Sequence, residues 1–381
     1  MHRRPLWLLL AALTSCSGNA TPSGTASASV SPPSAAGLHV AANRLVDSSG
    51  NLVRLFGVNR SGAEYACVQG LGIFDGPSDA ASIAAMASWH INAVRVPLNE
   101  DCWLGINGIP PQYAGSAYQE GIAAYVKRLR QAGLYVILDL HWSAPGESPA
   151  RAQLPMPDQD HSPTFWKQVA ASFSSDLSVI FDLFNEPYPD NHMDTTRAWG
   201  CVRDGGGACA GLLIDQQGKS WDYQAAGMQS LVDAVRSTGA VNLILSPGVA
   251  FSGTLDHWLE FRPHDRLARV AASWHTYDFN ICVTASCWDS QIAPAAAQVP
   301  LVTGEFGEGD CGTGYITPLL SWLDAHQASY LGWAWNVSTC KGGPDLITDF
   351  SGTPSAYGAG YRDHLARHPE PSPAPRVSPT T

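Results

Sequence analysis

Two glutamates stand where chemistry would be expected, because each ends an apolar run. Residues 178–187 read SVIFDLFNEP and residues 299–307 read VPLVTGEFG, so Glu186 and Glu305 occupy like positions on like segments. In the first run Val179, Ile180, Phe181, Leu183 and Phe184 crowd both faces, which suits a strand of a parallel sheet covered on both sides. A carboxyl placed where a buried strand surfaces is poorly solvated, so its protonated form is favoured and its pKa rises toward neutrality. That is the requirement for a general acid. One such glutamate is equally well explained as an ordinary carboxylate at a helix N-terminus; two on matching segments are not.

The elements that would position the pair alternate along the chain. Short apolar runs predict strands over 53–59, 93–98, 134–140, 178–185, 242–246, 269–275, 301–305 and 330–335. Amphipathic helices fall between them, clearest over 78–89, 118–132, 223–238 and 316–326, several opening near Ser, Asp or Pro. Strand–helix alternation implies right-handed crossovers and a parallel sheet, and eight units of about 40 residues each fit an α/β fold, a single (β/α)8 TIM barrel. Glu186 and Glu305 then lie at the ends of the fourth and seventh strands, on the C-terminal rim. Other rim positions are polar or aromatic: Arg95 on strand two, His141 ending strand three, His275 and Tyr277 ending strand six, Trp335 ending strand eight. Each alone has a structural explanation, as a paired core Arg, a satisfied His or a capping Trp. Their common placement around one mouth is what singles them out.

Composition narrows the function classes. The net charge is −11, from 33 acidic and 22 basic residues with the basic ones dispersed, which argues against a nucleic-acid partner. None of the 12 histidines forms a His-x-His pair, so a metal-dependent barrel hydrolase is disfavoured and no metal or cofactor is expected. Thirteen tryptophans offer platforms for the apolar faces of sugars, although core packing would also use them.

The N-terminus has a basic start (His2, Arg3, Arg4) and an apolar stretch over 6–13 too short to span a bilayer, the form of an export signal. Leu13-Thr14-Ser15-Cys16 resembles a lipobox, giving a signal peptide over 1–16 with cleavage before Cys16 and acylation of its thiol; simple secretion with cleavage near Ala20 is the alternative. Residues 17–36, rich in Ser, Thr, Ala and Pro, read as a flexible linker, 37–368 as the catalytic barrel and 369–381 as a disordered Pro-rich tail. Removing Cys16 from nine cysteines leaves an even set suited to disulfides in an oxidising compartment. All eight fall after strands, on the rim, and the barrel register predicts local pairs: Cys67 with Cys102, Cys201 with Cys209, Cys282 with Cys287, and Cys311 with Cys340. An exported, lipid-anchored, monomeric protein is expected, in contact with membrane through its anchor alone.

The motifs FDLFNEP and VTGEFG, with VRVP, LDLHW, SWHTYD and GWAWN in order around them, resemble glycoside hydrolase family 5, the cellulase-like family of retaining barrel enzymes. The resemblance covers most of residues 38–368. It implies Glu186 as acid/base, Glu305 as nucleophile and Asn185 as partner of the sugar 2-hydroxyl. Arg95 and Tyr277 would flank the nucleophile, His141 and His275 would line the site, and Trp335 would floor the subsite of the cleaved sugar, with Trp333 as the competing choice. The implied activity is hydrolysis of an extracellular β-linked glycan, with endo-β-1,4-glucanase as the first expectation. An exo-acting β-glycosidase, a mannanase or a β-1,3-glycanase are alternatives within the family, and a non-catalytic carbohydrate-binding lipoprotein is the alternative from another class.

Overall fold

The computed structural model describes residues 37–337 and 343–368 of the chain. It opens with a small antiparallel sheet, β1 (Leu38–Ala41), β2 (Arg44–Asp47) and β3 (Leu52–Val53). Eight parallel strands then follow: β4 (Phe56–Asn59), β5 (Ala93–Asn99), β6 (Tyr135–Trp142), β7 (Val179–Asp182), β8 (Ile244–Pro247), β9 (Val270–Tyr277), β10 (Leu301–Gly307) and β11 (Ser329–Gly332). They close on themselves in the order β4 to β11, with β11 pairing β4. This is the expected (β/α)8 barrel. Several strand bounds differ from the sequence reading, and three matter for the site. Val53 belongs to the small sheet, so the first barrel strand starts at Phe56; β7 stops at Asp182 and β11 at Gly332, both earlier than predicted.

Helices cover the outside. The longest, Ser116–Gln131, buries Tyr118, Ile122, Tyr125, Val126 and Leu129, the spacing of one helical face. Each such side chain contributes about 1.5–3 kcal/mol when removed from water. Gly133, at φ 84°, turns the chain back toward β6.

Period-two alternation sorts each strand. In β6, Val136, Leu138 and Leu140 pack outward under the helices, whereas Tyr135 and Ile137 point into the barrel with Leu55, Ala93, Ile180 and Leu245. The same parity carries Asp139 and His141 inward nearer the mouth. Leu38 and Leu45 of the small sheet join the inner cluster, so β1 and β2 plug the floor. On that face Arg54 Nη2 reaches Asp324 Oδ1 at 2.7 Å, while His364 and His368 meet Asp324 Oδ2 at 3.1 and 2.9 Å. Burial opposes the charge on Asp324, but bonds from His364 and Arg54 hold its carboxyl well below the usual range. His368 also stacks on Phe56, centroids 5.4 Å apart, which ties the end of the described chain to the first barrel strand.

The disulfides Cys67–Cys102, Cys201–Cys209 and Cys282–Cys287 form as the register predicts. Cys311 is disulfide-bonded, and its expected partner Cys340 lies outside the described residues, as do the readings placed on 1–36 and 369–381. No helix among the described residues is long and apolar enough to cross a membrane.

Candidate active site

The mouth is built around Arg95, inward-facing on β5 and fully buried. Its guanidinium donates from Nε to Asp182 Oδ2 at 2.9 Å, from Nη1 to Glu305 Oε1 at 2.7 Å and Asn59 Oδ1 at 3.1 Å, and from Nη2 to Asn185 Oδ1 at 3.0 Å. Nη2 also lies 3.1 Å from Asp139 Oδ1. Burial works against the guanidinium charge, but Asp139, Asp182 and Glu305 around it hold the proton firmly. Three carboxyls thus share one cation. Burial pushes the carboxyls of Asp139 and Asp182 up from the usual carboxylate range, and Arg95 only partly pulls them back.

Glu305 is aimed by a local irregularity. The register of β10 shifts between Thr303 and Glu305 against β9, so Gly304 makes a bulge, and Asn59 Nδ2 holds the Gly304 carbonyl at 2.9 Å. A methyl group at Gly304 would come within 2.8 Å of His275 Nε2, so this close approach needs glycine. Glu305 then accepts from Arg95 on one oxygen and from the Tyr277 hydroxyl on the other, at 2.6 Å.

Glu186 lies four residues past the end of β7, on a segment still tied to both neighbours: Leu183 N–H bonds the Leu245 carbonyl at 3.1 Å and Asn185 N–H the Leu140 carbonyl at 3.0 Å. Its side chain is 16% exposed. Burial raises its pKa to about 7, against the lowering effects of His141, Gln153 and Arg95. The neighbours are therefore polar rather than apolar, and lost hydration is what favours the acid form. His275 Nδ1 stands between the two glutamates, 3.0 Å from Glu186 Oε1 and 3.7 Å from Glu305 Oε2. Burial depresses the pKa of His275 to about 3 and that of His141 to about 4, so both rings are neutral near pH 7. His141 Nδ1 is 2.7 Å from Asp139 Oδ2, which orients the ring.

The structure brings Arg95, His141, Asn185, Glu186, His275, Tyr277 and Glu305 together. It does not bring Trp335 there. Trp335 is 0% exposed and packs edge-on against Trp89, centroids 4.9 Å apart, in the core between strands and helices. Because β11 ends at Gly332, strand parity no longer relates residues 333 and 335. Trp333 takes the mouth position, stacked on His141 with centroids 5.5 Å apart and planes 12° from parallel.

Sequence reasoning missed Asp139, Asp182, Asn59 and Gln153. The two aspartates had a readable signal: each is a lone carboxylate at inward parity in a buried strand, which demands a cation, and Arg95 is inward on a strand of the same sheet. Gln153 lies in the loop after β6, where nothing in the sequence marks it. Its Nε2 donates to the Glu186 carbonyl at 2.7 Å and to Glu186 Oε2 at 3.3 Å.

A family model, Cellulase (glycosyl hydrolase family 5), matches residues 46–339. The chain is 31% identical over 152 residues to an endoglucanase from Neurospora crassa, covering 37% of this chain and 34% of that protein. It is 21% identical over 327 residues to an endoglucanase from a Microbulbifer species, covering 80% of this chain and 54% of that one. It thus spans from a third to about half the length of these curated relatives. Among solved structures, a β-glucanase from Saccharophagus degradans shares the fold, with a TM-score of 0.66, 18% identity, and 89% of this chain and 96% of that chain covered. With the family model spanning most of the barrel, the chain belongs to glycosyl hydrolase family 5.

Proposed function

We propose that this chain is a retaining β-glycanase, first of all an endo-acting β-1,4-glucanase, with Glu305 as nucleophile and Glu186 as acid/base. The observation that carries the reading is proximity: one oxygen of each glutamate and a ring nitrogen of His275 lie within 4.8 Å of one another. Carboxyls about 5 Å apart suit double displacement, whereas inversion needs about 6.5–9.5 Å to admit a water between them. Endoglucanases among the relatives support the substrate class.

In the first step the Glu305 carboxylate attacks the anomeric carbon while Glu186 gives its proton to the leaving oxygen. A glycosyl ester forms and the aglycone departs. Arg95 and Tyr277 donate to the Glu305 oxygens and hold the carboxylate in line for attack. In the second step Glu186, now ionised, takes a proton from water, whose oxygen displaces Glu305. A pKa near 7 lets one residue serve both steps. Asn185 is the partner for the sugar 2-hydroxyl. Its Oδ1 is occupied by Arg95, so Nδ2, 3.3 Å from Gln153 Oε1, is the group offered to substrate. Trp333 stacked on His141 is the floor for the sugar under attack. In the same reading the protein is exported and held at the cell surface through Cys16, with no cofactor.

The test is the anomer released early from a cello-oligosaccharide, followed by NMR. A β product is expected, and an α product would end the two-step reading. Glu186→Ala should lose turnover on poor leaving groups and recover part of it with azide. Near-wild-type activity of that variant on a glucan would remove Glu186 from its role.

A further inference from the structure

One exposed ring at the mouth is unused by the chemistry above. Phe279, in the loop after β9, is 71% exposed, yet it is not loose. Its ring stacks on Tyr277 with centroids 5.1 Å apart and planes 11° from parallel, and the Tyr277 hydroxyl is the group that holds Glu305. The loop is pinned on both sides of the ring. Asn280 Oδ1 accepts from the Tyr277 N–H at 2.6 Å, and Asp278 Oδ1 accepts from Gly309 N–H, across in the loop after β10, at 2.9 Å. The Cys282–Cys287 bridge closes the far end, and Trp288 Nε1 holds the Cys282 carbonyl at 3.0 Å. A rigid, exposed phenyl face beside the nucleophile is a surface prepared in advance, with little ordering left to do on binding.

Its place on the rim indicates what it would bind. Glu305 is in β10 and Glu186 follows β7, so the two glutamates divide the circle of strands into one arc of β11, β4, β5 and β6 and another of β8 and β9. Trp333, His141 and Arg95 belong to the first arc; Phe279 belongs to the second. A linear glycan cut between the glutamates leaves one portion on each arc. On the reading proposed above, the sugar under attack lies with Asn185, which is turned to Arg95, and with Trp333. The second arc therefore faces the leaving group.

We propose that Phe279 is the platform for a sugar ring on the leaving-group side of the cleaved bond, so that the site selects glycans that extend beyond that bond. A β-linked glucose ring carries axial C–H groups on both faces, which pack flat on an aromatic ring. The inference rests on the retaining-glucanase reading and is tested apart from it. Phe279→Ala and Phe279→Trp are compared on cellotetraose, which fills both arcs, and on β-cellobiosyl fluoride, whose leaving group fills no sugar subsite. The ratio of kcat/KM for the tetrasaccharide to that for the fluoride should fall about ten-fold in Phe279→Ala, and Phe279→Trp should restore it. An unchanged ratio overturns the proposal. Where the unchanged ratio comes with an equal fall on both substrates, the ring acts instead through Tyr277 on Glu305. A wild-type enzyme that cleaves neither substrate defeats the retaining-glucanase reading and this inference with it.

Discussion

The floor and the mouth of the barrel lie two residues apart along the same strands, and different physics holds each. β5 passes from Ala93 to Arg95, β6 from Ile137 to Asp139, and β7 from Ile180 to Asp182, inward-facing at every step. At the floor, burial is uniformly favourable, and Leu38 and Leu45 complete it. At the mouth the same depth works against ionised groups, and one guanidinium serves three carboxyls. Buried ion pairs recover their desolvation cost only with near-ideal partners, and this set lacks enough cations. The barrel is therefore stabilised at one end and carries its site as a burden at the other. The two ends should separate in mutant behaviour.

The largest separation is expected at Glu305. Glu305→Gln should lower turnover by about 10⁴-fold or more while leaving thermal stability within about 1 kcal/mol of wild type, measured by single-turnover kinetics and calorimetry on one preparation. A large loss of stability would mean that the mouth supports the fold after all. Arg95→Met comes next. It strands three carboxyls without their cation, so unfolding free energy should drop by about 3–5 kcal/mol in urea titrations at pH 7. A drop below about 1 kcal/mol would show that the aspartates are already neutral without it. Ile137→Ala, one step below, should cost about 2–5 kcal/mol by leaving a cavity, yet the folded fraction should turn over at close to the wild-type rate.

Acid–base behaviour sharpens the contrast further. Asp139 and Asp182 bind protons more tightly folded than unfolded, so their contribution is present below the ordinary carboxylate range and is lost as pH rises toward neutrality. Melting temperature should fall between about pH 4 and pH 7, and Asp182→Asn should flatten that slope. An unaltered slope would place the titrating groups elsewhere. The smallest effect concerns Glu186: in the acid role proposed for it, it must carry its proton, so kcat/KM should decline above about pH 7. Gln153 stabilises the ionised form, and Gln153→Ala should therefore move the alkaline limb upward by less than about one unit. Movement downward would contradict the hydrogen bond.

Much of this was legible in the sequence because a buried parallel strand is apolar on both faces and a residue that breaks the run announces itself at the end. Glu186 and Glu305 are legible in that way as residues of the mouth. Asp139 and Asp182 are not, since a carboxylate inside an apolar run reads as noise until inward parity and the position of Arg95 are known together. Trp335 is not legible, because strand parity ceases to apply beyond Gly332, where β11 ends. The last strand of the small sheet is hidden because Val53 lies only three residues before Phe56 and the two runs read as one, while β1 and β2 are only four residues each. Gln153 and Phe279 sit on loops, whose conformation depends on contacts far along the chain: Gly309 for one, Glu186 for the other.

The plugged floor also gives the molecule a direction. Leu38 enters the barrel from beneath, and His368 stacks on Phe56 on that same face, so both ends of the described chain leave from the side opposite the mouth. A bead, a surface or a fused partner joined at residue 37 or residue 368 would present the mouth outward. On the function proposed above, a long glycan could then reach it without meeting the support.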